Sequence, residues 1–396
     1  MKRSTKVAGA LVAIAALLSA ATPAYAYTPT LSEVRFIPGA DPTNSWYGTA
    51  VTPDGKTIVA LDGSAAWVVD VATNTSTAIT PASGDATATV IDSTGRFAYI
   101  AGTPFGFSTS ISKVDLQTKS IVNTWTDAAL IEYPDIYISG DGATLYAVGV
   151  VGSYPNFEVG LSTIDTTTGA VATYTTGTTG QFESSTAVND ASGVLYLVWT
   201  STSNSTSGIW KFDTTTHAFT STAWTGSGQL RGCDYANSVM ACFVEDTANY
   251  VVTLDSSGNA ISTLTLDTTD TSPQTISMTP DGSAFYVFGQ DSNSTGIVEE
   301  FLSSPLSRGL VFNLSIENSN SVAMAPLAGQ LYFTADYFGD YGGGYQVVQY
   351  AEPPAPELPN TGVNSATVGV YFALSGLLLT AGAVTLLAVR RRHAQP

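Results

Sequence analysis

Thr279-Pro280-Asp281-Gly282-Ser283-Ala284-Phe285-Tyr286 reads as a tight turn that feeds a strand. Asp281-Gly282 supplies a residue able to take positive φ, and the Ala284-Phe285-Tyr286 that follows suits a pleated, half-buried surface. The phrase recurs. Further copies run from Thr52 to Val59, Ser93 to Tyr99, Ser139 to Tyr146 and Ala191 to Tyr196, with looser ones from Asn237 to Ala241 and Pro326 to Tyr332. Aligned on Val59, Tyr99, Tyr146, Tyr196, Ala241, Tyr286 and Tyr332, the seven copies are spaced by 40, 47, 50, 45, 45 and 46 residues.

A second phrase follows each copy: an apolar stretch, an aspartate, then Thr, Asn, Ser or Gly. It places Asp70, Asp115, Asp165, Asp213 and Asp255 in five repeats, and degrades to Glu299-Glu300-Phe301 and Val348-Gln349-Tyr350 in the last two. An aspartate there bonds its own downstream backbone and sets a tight turn, so these five are hairpin punctuation rather than catalytic carboxylates. Each repeat therefore holds four strands. Four-stranded units at a period near 45 predict an all-β, seven-bladed β-propeller over residues 27–351. The phrases also resemble the YVTN family of propeller repeats, most closely in the first and sixth copies.

Counting strands predicts how the ring closes. The third strand of the last repeat runs into Glu352-Pro353-Pro354-Ala355-Pro356, which cannot supply a fourth. At the other end, Leu31 to Pro38 alternates like a strand but belongs to no blade. It is expected to pair into the last blade as its outermost strand, which removes an exposed edge.

The two ends of the chain carry different information. Residues 1–26 read as a signal peptide, with Lys2, Arg3 and Lys6, an apolar stretch and Ala24-Tyr25-Ala26 for cleavage. Near the other end, Leu358-Pro359-Asn360-Thr361-Gly362 is followed by an uncharged run from Ala366 to Val389 and by Arg390-Arg391-Arg392. That run of 24 residues is long enough to span a bilayer as a helix, and the arginines place its end in the cytoplasm. Pentapeptide, apolar run and basic stop in this order resemble the LPxTG cell-wall sorting signal of Gram-positive surface proteins. The resemblance implies that a sortase thiol attacks the Thr361–Gly362 bond and passes the Thr361 carbonyl to an amine of the peptidoglycan precursor. The C-terminal helix would then touch the membrane only transiently. Residues 352–357 become a Pro-rich linker, 358–362 the sortase motif, and 363–396 the sorting helix and basic tail. A permanent membrane anchor is the alternative.

Both ends are basic and hold no acid. The segment between them keeps eight Lys and Arg against all 32 Asp and Glu, a net charge of −24. That argues against nucleic acid and anionic lipid as partners and suits an exported protein.

Cys233 and Cys242 flank the fifth turn and face each other if Asn237-Ser238 is a two-residue turn. There they either form a disulfide or stay as two buried thiols. The loops between second and third strands share a face with the links between blades. Aromatic residues gather on that face: Trp46, Tyr47, Phe105, Tyr154, Phe157, Tyr337, Phe338 and Tyr341, with Asp340 among them. They either present a surface for a carbohydrate or protein ligand or pack the loops onto the blades. Asp336 and Asp340 lack the regular acidic series of a calcium loop, so neither metal nor cofactor is expected. No nucleophile elbow or phosphate loop is present, and His217 sits in a hairpin turn. The expected function is a non-catalytic, wall-anchored binding or adhesion module. The alternatives are a wall-structural protein and a hydrolase like the lactonases of the propeller superfamily, for which Arg231 is the one candidate residue.

Overall fold

Turn chemistry lays out the blades. At the head of the first repeat Thr52 Oγ1 donates to Asp54 Oδ1 at 2.8 Å and accepts the Thr57 amide at 3.0 Å, which fastens both sides of the turn. Ser139 with Asp141 and Thr279 with Asp281 repeat the arrangement. Gly55 and Gly282 take φ of +72° and +68°. At Gly282 a Cβ would also meet the Ala236 carbonyl of the neighbouring blade at 2.9 Å, so blade packing excludes a side chain there as well. The fifth copy has no glycine; Asn237 and Ser238 take φ of +47° and +68°, a two-residue turn whose twist suits the hairpin.

The aspartate turns are equally uniform. Asp165 Oδ1 accepts the Thr167 and Thr168 amides at 2.9 and 2.6 Å, and Asp213 accepts those of Thr215 and Thr216 at 2.8 Å each. These amide bonds hold the carboxyls of Asp70, Asp165, Asp213 and Asp255 below the usual range, and that of Asp115 with added help from Arg96. Each turn ends in a left-handed residue: Asn74, Lys119, Gly169, His217 or Gly258.

The computed structural model describes residues 30–349 except 33, 41–47, 83, 103–108, 128, 131–134, 154–155, 180–181, 184–186, 191–192, 202–206, 267–271, 291–294, 318, 326–328 and 336–343. The described residues form seven antiparallel sheets in sequence order, the blades of a β-propeller. Blade one is Gly48–Val51, Thr57–Leu61, Ala66–Asp70 and Thr75–Ile79, and the others follow its pattern. In blade four the first strand is split into Phe182–Glu183 and Ala187–Asp190, both paired with Val194–Ser201. The chain divides into two units at Pro353–Pro354, and the second lies outside the described residues.

The core sits between blades rather than within them. Seven apolar clusters form, one at each seam. Val59, Leu61 and Val68 of blade one meet Ala98, Ile100 and Val114 of blade two, for example. Seven seams for seven blades mean a ring that closes on itself.

Closure uses the N-terminal segment. Thr30–Leu31 pairs with Gln349 and Val348, and Arg35–Phe36 pairs with Tyr345 and Gly344, so both lie along the third strand of blade seven, Gly344–Gln349. The single strand expected over Leu31–Pro38 is thus two short pieces. Four steps on one side match three on the other, an irregularity that turns Val34 and Ile37 inward to the two seams beside blade seven. Ser32 adds a clasp: its amide donates to the Val347 carbonyl at 2.9 Å, its Oγ accepts the Val347 amide at 3.0 Å, and its carbonyl accepts Gln346 Nε2 at 2.8 Å. The same segment is bonded to blade one. Asn74 Nδ2 donates to the Phe36 carbonyl at 3.2 Å, Ser76 Oγ to that of Pro38, and the Arg35 guanidinium to that of Val71.

Candidate functional site

Strand direction divides the ring into two faces. The turns joining first to second and third to fourth strands lie on one; the connections from second to third strands, and the links between blades, lie on the other. We call these the turn face and the loop face. Gly344–Gln349 is a third strand, so it ends on the turn face beside Thr30 and Leu31. Its last described residue, Gln349, is thus on the turn face, in a strand paired on both sides: with Gln330–Ala335 and with the N-terminal pieces. The motif Leu358, Pro359, Asn360, Thr361 and Gly362, the signal segment 1–26 and the apolar run from Ala366 lie outside the described residues. Among the described residues, no helix is long and apolar enough to cross a membrane.

Of the loop-face candidates, Trp46, Tyr47, Phe105, Tyr154, Tyr337, Phe338, Asp340 and Tyr341 lie outside the described residues. Phe157 falls in the strand Asn156–Asp165, opposite Gly152. The strands on either side of 103–108, 154–155 and 336–343 are second and third strands of blades two, three and seven, and 41–47 leads into the first strand of blade one. The described strand ends that flank these segments lie on the face opposite Gln349. Among the described residues no group of three His, Cys, Asp or Glu is placed to hold a metal.

Arg231 lies on the inner strand of blade five, Gln229–Ala236, and is not isolated: its Nε is 2.6 Å from Glu245 Oε2 on the next strand. Cys233 and Cys242 stand opposite each other with Cα atoms 4.1 Å apart and are joined by a disulfide. Next to it, Asp234 bridges to blade six by accepting the Met278 amide at 2.7 Å. Burial pushes its carboxyl up to about 6, against the pull of the Met278 and Tyr235 amides.

His217 ends the Asp213 turn and is exposed, as expected, but its ring also reaches the seam with blade three. Its ring lies 4.7 Å from that of Tyr174 on the outer strand of blade three. Beside it a cleft of about 260 Å³ opens between blades three and four on the turn face, lined among others by Tyr146, Thr163, Asp165 and Thr214. Burial raises the Tyr146 phenol, with Thr214 and Thr144 as hydrogen-bond partners. No single repeat of the sequence shows this cleft. The signal was present two residues before each turn aspartate, where blades two and four carry Lys113 and Lys211 and blade three carries Thr163.

Seven blades, latched by the N-terminal strand and followed by a sorting sequence, define a propeller carried on the cell surface. Residues 352–394 match the family described as LPXTG cell wall anchor motif. The chain is accordingly a secreted surface protein of the Gram-positive type, processed by sortase and joined covalently to peptidoglycan. No curated protein matches it in sequence. Solved structures that share the fold include hydrazine synthase of Kuenenia stuttgartiensis, at 16% identity and a TM-score of 0.59, covering 78% of this chain and 98% of that one. The RRP9 WD40 repeats (12% identity, TM-score 0.60) and U3-55K (13%, 0.60) each cover 81% of this chain and 99% of their own. At such identities the likeness is one of fold alone.

Proposed function

We propose that the propeller is a non-catalytic binding module, held on the wall with its loop face available to a carbohydrate or protein ligand. The observation that supports this is directional. The strand that leads to the anchor ends on the turn face, whereas the aromatic and acidic segments connect strand ends on the other. A ring of fixed blades with variable connections on the free side separates attachment from recognition, and aromatic side chains on such connections supply contact area at low entropic cost.

The test is a glycan and protein array probed with the full-length chain in mild detergent. Binding that is lost in Tyr337→Ala and Tyr341→Ala is the expected result. Turnover of a lactone panel that falls in Arg231→Ala would replace the reading with a hydrolytic one, and neither binding nor turnover would leave a structural role.

A further inference from the structure

The second-strand position that sets the repeat carries a tyrosine in blades two, three, four, six and seven, each ring buried at the seam with the next blade. What stands across from the ring, on the third strand, differs. In blades six and seven it is Glu300 and Val347. Lys113 lies opposite Tyr99 and Lys211 opposite Tyr196. Both ammonium groups fold back over the ring, Lys113 Nζ 5.6 Å from the Tyr99 centroid and Lys211 Nζ 5.7 Å from that of Tyr196. Lys113 also lies 4.3 Å above Phe97, and Lys211 donates to the Ser256 carbonyl in the following blade. An alkylammonium thus covers the tyrosine face in both blades, and in blade four it reaches across the seam.

In blade three the residue opposite Tyr146 is Thr163, which is too short to cover the ring. Here the cleft of about 260 Å³ opens, and Tyr146 is 7% exposed against 1% for Tyr99 and 3% for Tyr196. The surroundings differ in part, since Phe97, the ring nearest Lys113, has Thr144 as its counterpart in blade three. Asp165 lines the cleft, as do the hydroxyl-bearing Thr144, Thr163 and Thr214. Asp115, the counterpart of Asp165 in blade two, is paired with Arg96 at 3.2 Å, whereas no ion pair engages Asp165 among the described residues.

We propose that the seam between blades three and four binds a primary alkylammonium brought by another molecule, with a lysine side chain as its carrier. The ammonium lies over the Tyr146 face where Lys113 and Lys211 lie in their own blades, with Asp165 as counter-charge and threonine hydroxyls as acceptors. A lysine fits because the four-carbon stem is the one that carries the ammonium over the tyrosines of blades two and four. The site is on the turn face and is independent of the loop-face reading.

Calorimetric titration of the full-length chain in mild detergent with Nα-acetyl-lysine methylamide tests this. Saturable binding in the millimolar range is expected, weakened at least about tenfold when the probe's Nε is acetylated and when the protein carries Thr163→Lys, which supplies a tethered plug. The variant should melt no lower than the parent. Equal binding of the acetylated probe, unchanged binding by Thr163→Lys, or no saturable heat with the parent would overturn the proposal. Butylamine binding as tightly as the lysine probe would overturn the lysine carrier in favour of a free-amine site. The acetylated probe needs no variant, so the result stands even if Thr163→Lys does not fold.

Discussion

Replacing Ile37 by Ala removes a buried side chain from the closing seam and leaves every strand hydrogen bond in place. Ile37 is 3% exposed and packs with Val51, Ile58 and Val69 of blade one and with Ala325, Tyr332 and Tyr345 of blade seven. Losing three carbons from such a site costs about 2–4 kcal/mol, part lost transfer energy and part residual cavity. At ~2.1 cal/mol/K per residue, a ring of roughly 320 residues has a melting entropy of about 0.7 kcal/mol/K, so Tm should fall by about 3–6 °C. Differential scanning calorimetry of the full-length chain measures this directly. The control is Ile261→Ala, on an outer strand and 61% exposed, which should shift Tm by no more than about 1 °C. If Ile37→Ala melted with the control, the N-terminal segment would not be holding blades seven and one together.

Other outcomes follow from the turns and from blade five. The aspartates held low by turn amides contribute stability above an unfolded aspartate's 3.8, which is lost as pH falls through their lower folded values, so the ring should unfold in acid. Asp234 has the opposite sign: raised to about 6, it costs stability while ionised, and the cost is relieved as pH drops from 7 to 5. Tm should therefore rise over that interval before falling, and Asp234→Asn should shrink the rise; an unchanged profile in the variant would refute this. Cys233→Ala with Cys242→Ala opens a loop with a sequence separation of only 9, at a cost of about 2–3 kcal/mol by loop entropy. A single, lower melting transition is expected, and an unchanged Tm would show that the bond contributes nothing. Removing residues 27–38 should lower Tm further still while leaving wall attachment intact, because the sorting motif is untouched.

The blades were legible in the sequence because their turns are local. Thr52 with Asp54, or Asp165 with the amides that follow, settles a hairpin within a few residues and repeats wherever the ring repeats. Closure was legible by subtraction, since a last repeat short of one strand and an unassigned strand at the start leave one economical pairing. The break between Leu31 and Arg35 was not, because it answers to two seams at once: Val34 must reach one and Ile37 the other. The cleft over Tyr146 depends on which residue stands across a strand pair, and the contrast among Lys113, Thr163 and Lys211 has meaning only once the blades are aligned in register. The aromatic connections were recognised by composition alone, which names the residues without fixing how they meet a ligand.

The anchored state is tested most directly by mass spectrometry of the protein released from purified cell walls by a muramidase. The C-terminal peptide should end at Thr361, joined by an amide bond to a wall-peptide amine, and Gly362 onward should be missing. Recovery of an intact chain through Pro396, extracted by detergent and not by the muramidase, would contradict covalent attachment and make the segment a permanent membrane anchor.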